Sequence, residues 1–106
     1  MARFEKLRPV LAAIDQQVDQ RAVNLQLAVT ELDAITRSLN ALRVPRQLQE
    51  AHDQLEQACT LALRAVRTRM EFATTGNAAL QLNAASAAAG ALMLMDRARV
   101  ALGGQP

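Results

Sequence analysis

The sequence predicts an all-α protein in which one domain, residues 1–106, folds as an antiparallel three-helix bundle with long, heptad-patterned helices. The composition favours helix. Hydrophobic residues make up 51% of the chain, Trp and Tyr are absent, and there are only four glycines and three prolines. The abundant Ala, Leu, Gln and Arg are helix formers, whereas strands prefer β-branched and aromatic residues. The second observation is a heptad repeat of apolar residues that extends to Leu42.

The first helix is predicted over residues 6–43. Two lines of residues spaced seven apart have the a and d spacing of a heptad, and eleven of their twelve members are apolar. The lines are Phe4, Leu11, Val18, Leu25, Leu32 and Leu39, and Leu7, Ile14, Arg21, Ala28, Ile35 and Leu42. Pro9 fits the first turn, where no backbone hydrogen bond is lost. A repeat that keeps its phase predicts one long helix that crosses its neighbours at about 20°.

Two breaks bound the second helix, which is predicted over residues 46–74. Val44 precedes Pro45, and a residue before proline is disfavoured in helical geometry. The tetrapeptide TTGN, residues 74–77, combines a glycine suited to a left-handed helix end with an asparagine suited to an N-cap. We therefore expect a turn at TTGN. The alternative is one continuous helix through Gly76, at a cost of about 1 kcal/mol.

The third helix, predicted over residues 77–102, is apolar on two sides. At 100° per residue, one side contains Leu80, Ala84, Ala87, Ala91, Leu94 and Ala98. The other side offers an interface of Leu82, Ala85, Ala89 and Leu92. A helix that is apolar nearly all round is normally buried. We therefore expect the second side to meet a partner, either a second copy of the chain in a homodimer or another helical protein. The alternative is that this side exposes alanine to water.

No membrane span is predicted, although residues 72–95 carry no charge. Polar residues interrupt this stretch, and many of its other members are only alanine or glycine. A spanning helix needs more Leu, Ile, Phe or Val than this stretch provides.

The run LRVPRQLQEAHDQLEQACTLALRAV, residues 42–66, resembles a pattern of uncharacterised bacterial proteins, often lipoproteins or other envelope proteins. In that pattern a long helix ends in a proline, the next helix reads P-x-x-L-x-x-A-H-x-x-L, and a short turn leads to an Ala-rich helix with a central glycine. The matching residues here are Pro45, Leu48, Ala51, His52 and Leu55, followed by TTGN and Gly90. The resemblance covers most of the chain and implies a three-helix bundle, an extracytoplasmic home and no known activity. The sequence shows neither the lipoprotein signal nor its cysteine.

His52 is the single histidine, and Glu56 and Cys59 follow it at i+4 and i+7 on one side of the second helix. Such side chains can bind zinc, and a cysteine near a histidine can act as a nucleophile. We expect a structural role instead, with His52 hydrogen-bonded on a core face and Cys59 acting as a small buried hydrophobe. No cofactor and no enzymatic activity are expected. The alternative is a site for a metal or a small apolar ligand near His52 and Cys59.

Arg21 is the one charged residue in the heptad lines. Aligning antiparallel helices about Pro45 brings Arg21 near Glu71 and Asn83, so we expect these three residues to form a buried polar group that fixes helix register. Anion binding is the alternative for Arg21.

Most other arginines fall near predicted helix C-termini, where positive charge complements the helix dipole. Nucleic-acid binding through these Arg-rich ends is a further alternative, but the net charge of +2 and the lack of interleaved aromatic residues argue against it.

The function predicted from these patterns is that of a non-enzymatic helical interaction module that self-associates through its third helix. The N-terminal residues MARFEKLRPVLAAI lack the apolar core of a signal peptide. As the chain stands we expect a cytoplasmic protein. If the chain is a piece of a longer exported protein, we expect an extracytoplasmic one.

Overall fold

The computed structural model describes residues 5–16 and 22–101, with the backbone alone for residues 22–24. Within these ranges the chain forms four α-helices: α1 (Arg8–Asp15), α2 (Ala22–Ala41), α3 (Gln49–Thr75) and α4 (Ala78–Ala101). A short 3₁₀ turn, Arg46–Leu48, leads into α3, and the described residues contain no strand. The all-α prediction is confirmed, and the predicted number of three helices is wrong.

The turn between α3 and α4 has the residues that the sequence predicted for it. Gly76 is left-handed, with φ 70° and ψ 12°, and its N–H donates to the Phe72 carbonyl at 2.7 Å. The Asn77 side chain accepts a hydrogen bond from the Ala79 N–H at 3.0 Å and so caps the start of α4. The predicted turn at TTGN is confirmed, and the continuous helix through Gly76 is excluded.

Small residues fill the core along α3 and α4. Gly90 of α4 lies so close to α3 that a Cβ atom added to it would be 3.1 Å from Cδ1 of Leu61. Residues this small allow helix axes to approach at the short end of the usual 8–10 Å range. The alanines with at most 1% exposure are Ala51, Ala58, Ala62 and Ala65 on α3, and Ala84, Ala88, Ala91 and Ala98 on α4.

α1 and α2 lie side by side, and not end to end as predicted. Leu7 and Val10 line the same surface depression as Leu27 and Ala28. In one continuous helix, Leu7 and Ala28 would be about 30 Å apart at 1.5 Å per residue. The predicted single helix over residues 6–43 is therefore wrong. The structure has two helices in this range, and the second of them ends at Ala41.

The heptad lines nevertheless identify the core of this region. Of their nine members with described side chains, eight are buried, and Leu42 is the exposed exception. Phe4, Val18 and Arg21 lie outside the described residues. A heptad pattern specifies which side of a helix is apolar. That side points to the same core whether α1 continues α2 or folds back beside it, so the pattern could not distinguish the two topologies.

α1 packs mainly on α4. Arg8 donates to Asp96 at 3.0 Å, and Arg99 lies 3.9 Å from the carboxylate of Glu5, just before α1. The residue numbers of these pairs run in opposite directions, so α1 and α4 are antiparallel.

α2 packs mainly on α3. The Leu39 carbonyl contacts His52, and Asp33 lies 3.9 Å from Arg67. These pairs also run in opposite directions. α4 is therefore covered by α3 on one side and by α1 on another, which leaves its remaining side to solvent.

Candidate functional site

The solvent side of α4 carries an apolar seam, here called the outer face, formed by Leu82, Ser86, Ala89, Met93 and Val100. Leu82 and Val100 are each 58% exposed, Met93 is 55% exposed, and Ala89 is half-buried. The first four residues are spaced by four, three and four positions, as the a and d positions of a heptad are. The outer face therefore has the pattern of a helix that packs on another helix.

The predicted interface is rotated by about 50° around the helix axis from this outer face, at 100° per residue. Leu82 and Ala89 belong to both sets. Ala85 is buried, and Leu92 packs against the core on the side of α4 whose Arg99 reaches Glu5. The structure thus places Ala85 and Leu92 in the chain's own packing. They were predicted to need an outside partner, whereas the chain's own packing accounts for their burial.

α4 is also the one helix in the described part of the chain with the length and composition of a membrane span. The mean hydropathy of its most apolar window is 1.4, and 33% of that window is buried inside the protein. Core helices of soluble proteins meet the same criteria, so composition alone does not make α4 a transmembrane helix. The low burial shows, however, that much of an apolar helix remains available for contact.

His52 of α3 caps the C-terminal end of α2. Its Nε2 atom is 2.8 Å from the Leu39 carbonyl oxygen, and because a carbonyl only accepts, Nε2 carries the hydrogen and donates it. Leu39 is among the last four residues of α2, whose carbonyls lack partners within the helix. The same oxygen accepts the Leu42 N–H at 3.3 Å. The predicted hydrogen bond of a structural His52 is confirmed.

The other ring nitrogen of His52 faces two carboxylates of its own helix. Nδ1 lies 3.2 Å from Oε1 of Glu56 and 3.9 Å from Oδ1 of Asp53. The three groups could together hold a metal ion, since their ligand atoms all lie within 4.8 Å of one another. We call His52, Asp53 and Glu56 the His52 cluster. The sequence predicted His52 and Glu56 but missed Asp53, because consecutive helix residues do not usually face each other.

Cys59, the third predicted metal candidate, is not part of this cluster. Its side chain is buried, as predicted, and lies beside the hydroxyl of Thr36 on α2. Burial raises the pKa of the Cys59 thiol above its usual value, and the Thr36 hydroxyl offsets this only in part. A thiol that stays protonated is a poor nucleophile and a poor zinc ligand, so Cys59 behaves as a core residue.

An apolar cavity borders His52 where α2 connects to α3. Its volume is about 220 Å³. Sites for small molecules usually occupy roughly 300–1,000 Å³, so the cavity is small for the apolar ligand considered as an alternative. The lining residues are Leu39, Leu42, Arg43, Val44, Pro45, Leu48, His52 and Leu55.

The predicted buried polar group is corrected by the structure. Glu71 and Asn83 are exposed, and Arg21 lies outside the described residues. Among the described residues the buried charged side chain is Arg69, which is 4% exposed and whose guanidinium carbon lies 4.9 Å from the centre of the Phe72 ring. The sequence contained a signal for Arg69, since it lies four residues after the buried Ala65 and so on the same side of α3.

Three of the arginines near the helix ends are engaged within the described part of the chain. Arg67 lies 3.9 Å from Asp33, Arg99 donates to Asp96 at 3.0 Å, and Arg69 is buried. Phosphate binding needs Lys or Arg side chains that are free to reach the nucleic-acid backbone. The geometry of these arginines therefore favours structural roles.

Comparisons of the chain with protein-family models, with curated proteins and with solved structures give no match. The resemblance to bacterial envelope proteins stays a prediction. Any functional conclusion therefore rests on the geometry of the outer face and of the His52 cluster.

Proposed function

We propose that this protein is a non-enzymatic helical interaction module that self-associates as a homodimer through the outer face of α4. The observation that carries the proposal is the exposed seam of Leu82, Ala89 and Met93, which has heptad spacing on a helix without charge as far as Met95. An uncharged, apolar helix face is best matched by another such face. In this chain α4 itself offers one.

The outer face is complementary to itself in an antiparallel pair. A twofold axis between Ser86 and Ala89 would set Leu82 opposite Met93 of the second copy, and Ser86 opposite its Ala89. Antiparallel coiled-coil layers pair a with d positions in this way. The small residues at the centre would let the two axes approach closely, and the long side chains at both ends would fill the space beside them.

The scaffold proposed for this module is an antiparallel bundle of the four helices. The opposed directions of the α1–α4 and α2–α3 contacts, together with the α3–α4 turn, support this arrangement. A non-enzymatic role is supported by the state of the two side chains best suited to catalysis, His52 and Cys59. His52 is engaged in capping α2, and the buried Cys59 has a raised pKa.

The proposal is tested by sedimentation equilibrium of the purified chain at several concentrations. The wild type should approach the mass of a dimer as its concentration rises. Ala89→Glu places a charge in the centre of the seam, so it should give a monomer that keeps the helical circular dichroism signal. Gln57→Glu is the matched control, because Gln57 is exposed on α3 and away from the outer face. It should dimerise like the wild type.

Three results would contradict self-association through this face. One is a wild-type monomer at about 1 mM, which corresponds to a binding free energy weaker than about 4 kcal/mol. Another is equal behaviour of Ala89→Glu and Gln57→Glu. The third is a monomer that floats with lipid vesicles and loses this property in Ala89→Glu, because the outer face would then bind a membrane surface.

A further inference from the structure

The Nδ1 atom of His52 is buried and has no hydrogen-bond partner among the described residues, although Oε1 of Glu56 is only 3.2 Å away. Nε2 holds a hydrogen for the Leu39 carbonyl, so in the neutral ring Nδ1 presents a lone pair. A lone pair and a carboxylate oxygen are both acceptors. Their close contact becomes favourable when a cation such as a metal ion lies between them.

One distance within the His52 cluster has the length expected between two ligand atoms of a small divalent transition metal. Zinc binds His nitrogen and carboxylate oxygen at about 2.0–2.2 Å, so two ligand atoms of a tetrahedral site are about 3.3 Å apart. The Nδ1–Oε1 distance of 3.2 Å has this length as it stands. Oδ1 of Asp53 is 3.9 Å from Nδ1, and the three ligand atoms lie within 4.8 Å of one another, so the Asp53 side chain must rotate toward the ion to become the third ligand. One nitrogen and two oxygens would leave a fourth position to water.

The surroundings of the cluster also resemble those of a metal site. A histidine that binds a metal usually donates its other N–H to a backbone carbonyl or a carboxylate, which fixes the ring and its tautomer. His52 does this with the Leu39 carbonyl, and Gln49 orients Asp53 by donating to Oδ1 at 2.8 Å. The side chains of Asp53 and Glu56 are 55% and 41% exposed, so an ion can enter from solvent.

We infer that His52, Asp53 and Glu56 bind a divalent transition-metal ion of the zinc class, with Nδ1 as the nitrogen ligand. This site lies on α3 and does not depend on the outer face of α4, so it can exist whether or not the chain dimerises. Metal binding at Nδ1 would hold His52 in the tautomer that caps α2. The ion would thereby stabilise the junction between α2 and α3.

The inference is tested with the full chain, freed of metal by dialysis and titrated with zinc chloride in a calorimeter. We expect saturable binding of one zinc ion per chain. His52 is the single histidine, so its two ring nitrogens give one pair of ¹⁵N signals. Of these, Nδ1 should change most on zinc addition, while Nε2 should remain protonated.

Variants separate the His52 cluster from other ligands. Glu56→Gln and Asp53→Asn keep the side-chain shape, and Glu56→Gln should weaken zinc binding by about tenfold or more, comparable to the loss of a metal-site partner. Glu50→Gln is the matched control, because it removes a carboxylate from the same helix outside the cluster. The two variants Glu50→Gln and Cys59→Ser should each bind zinc like the wild type. Circular dichroism checks that each variant stays helical.

The inference is overturned if no saturable binding occurs up to about 0.1 mM zinc, because most protein zinc sites are filled at lower zinc concentrations. It is also overturned if Glu56→Gln and Asp53→Asn both bind zinc like the wild type, or if Cys59→Ser abolishes binding. Either result would place the zinc elsewhere on the chain.

Discussion

The α3–α4 hairpin and the α1–α2 pair both place consecutive helices side by side, but only the α3–α4 hairpin contains a local sequence signal for a turn. Gly76 provides the left-handed residue, and Asn77 provides the cap. Between Gln16 and Ala22 the sequence contains neither glycine nor proline, and the heptad lines continue in phase. The difference teaches that a stop signal in the sequence determines where the chain reverses, whereas periodicity determines only which side of each helix is buried.

The two helix pairs also differ in the contacts that stabilise them. Along α3 and α4 eight alanines have at most 1% exposure and Gly90 lies against Leu61, so the two helices pack closely. α1 adds the larger core residues Leu11 and Ile14, together with exposed ion pairs to α4. We therefore expect added volume or charge to destabilise the hairpin most. The position of α1 is tested instead by linking it covalently to α2.

The largest effect is expected for Ala91→Glu in the hairpin core. Ala91 has 0% exposure, so the substitution buries an unpaired charge and overfills the space between helices. It should lower the free energy of unfolding by more than about 4 kcal/mol and leave the chain largely unfolded at 25 °C. Thermal denaturation followed by circular dichroism measures this. Ser86→Glu, on the exposed side of α4, is the control and should stay folded. A folded Ala91→Glu would show that the hairpin packs more loosely than described.

The next effect tests the side-by-side position of α1 and α2. Val10 and Leu27 line one depression, so Val10→Cys with Leu27→Cys, in a Cys59→Ser background, should form an intramolecular disulfide. Closing a loop of this size should stabilise the chain by about 3 kcal/mol, measured by urea denaturation of the oxidised and reduced forms. In a continuous helix the two positions would be about 26 Å apart and could not be joined.

Val10→Cys with Ser38→Cys is the control for this disulfide. Ser38 lies three turns further along α2, beyond the reach of Val10, so the control should not close within one chain. If both cysteine pairs form only intermolecular disulfides, the fold-back of α1 is contradicted.

A smaller effect is expected at the turn of the hairpin. Gly76→Ala puts a Cβ at φ 70°, where no other atom lies within 4 Å of it, so the cost arises from the backbone alone. This cost should be about 1 kcal/mol, seen as a lower midpoint of urea denaturation. Gly76→Asn should cost less, because asparagine tolerates left-handed geometry better. Equal stability of the alanine variant and the wild type would argue against a left-handed turn.

The smallest effect is expected from acid at the contact between α1 and α4. The hydrogen bond from Arg8 lowers the pKa of the Glu5 carboxyl below its usual 4.5. A carboxyl whose folded pKa is lowered stabilises the fold above its unfolded pKa, and this stabilisation is lost as pH falls through the folded pKa. Because Glu5 is at the surface, the contribution should not exceed about 0.5 kcal/mol.

Melting temperatures of the wild type and Glu5→Gln as a function of pH test the contribution of Glu5. The two proteins should differ slightly at neutral pH and become equal once the carboxyl is protonated. Glu50→Gln serves as the control for removing one exposed carboxylate. A difference between wild type and Glu5→Gln that persists or grows in acid would contradict this role of the Arg8 hydrogen bond.

The sequence by itself determined the helical class, the bounds of α3 and α4 to within a few residues, and most of the core. Leu32 and Ile35 were predicted from periodicity, and the turn was predicted from Gly76 and Asn77. Two of the three residues of the His52 cluster could also be identified from the sequence, since Glu56 follows His52 by one helical turn. All these features depend on residues close in the chain, through backbone preference, capping and the side of a helix on which a residue falls.

The tertiary structure alone decided that α1 lies beside α2 and which side of α4 remains exposed. α1 packs on α4 across about 90 residues of chain, and Leu92 lies on the side of α4 that carries Arg99, which pairs with Glu5. The orientation of His52 likewise depends on a carbonyl of α2, which directs Nδ1 toward Asp53 and Glu56. Such features depend on which helices pack together, and an apolar pattern is compatible with more than one packing.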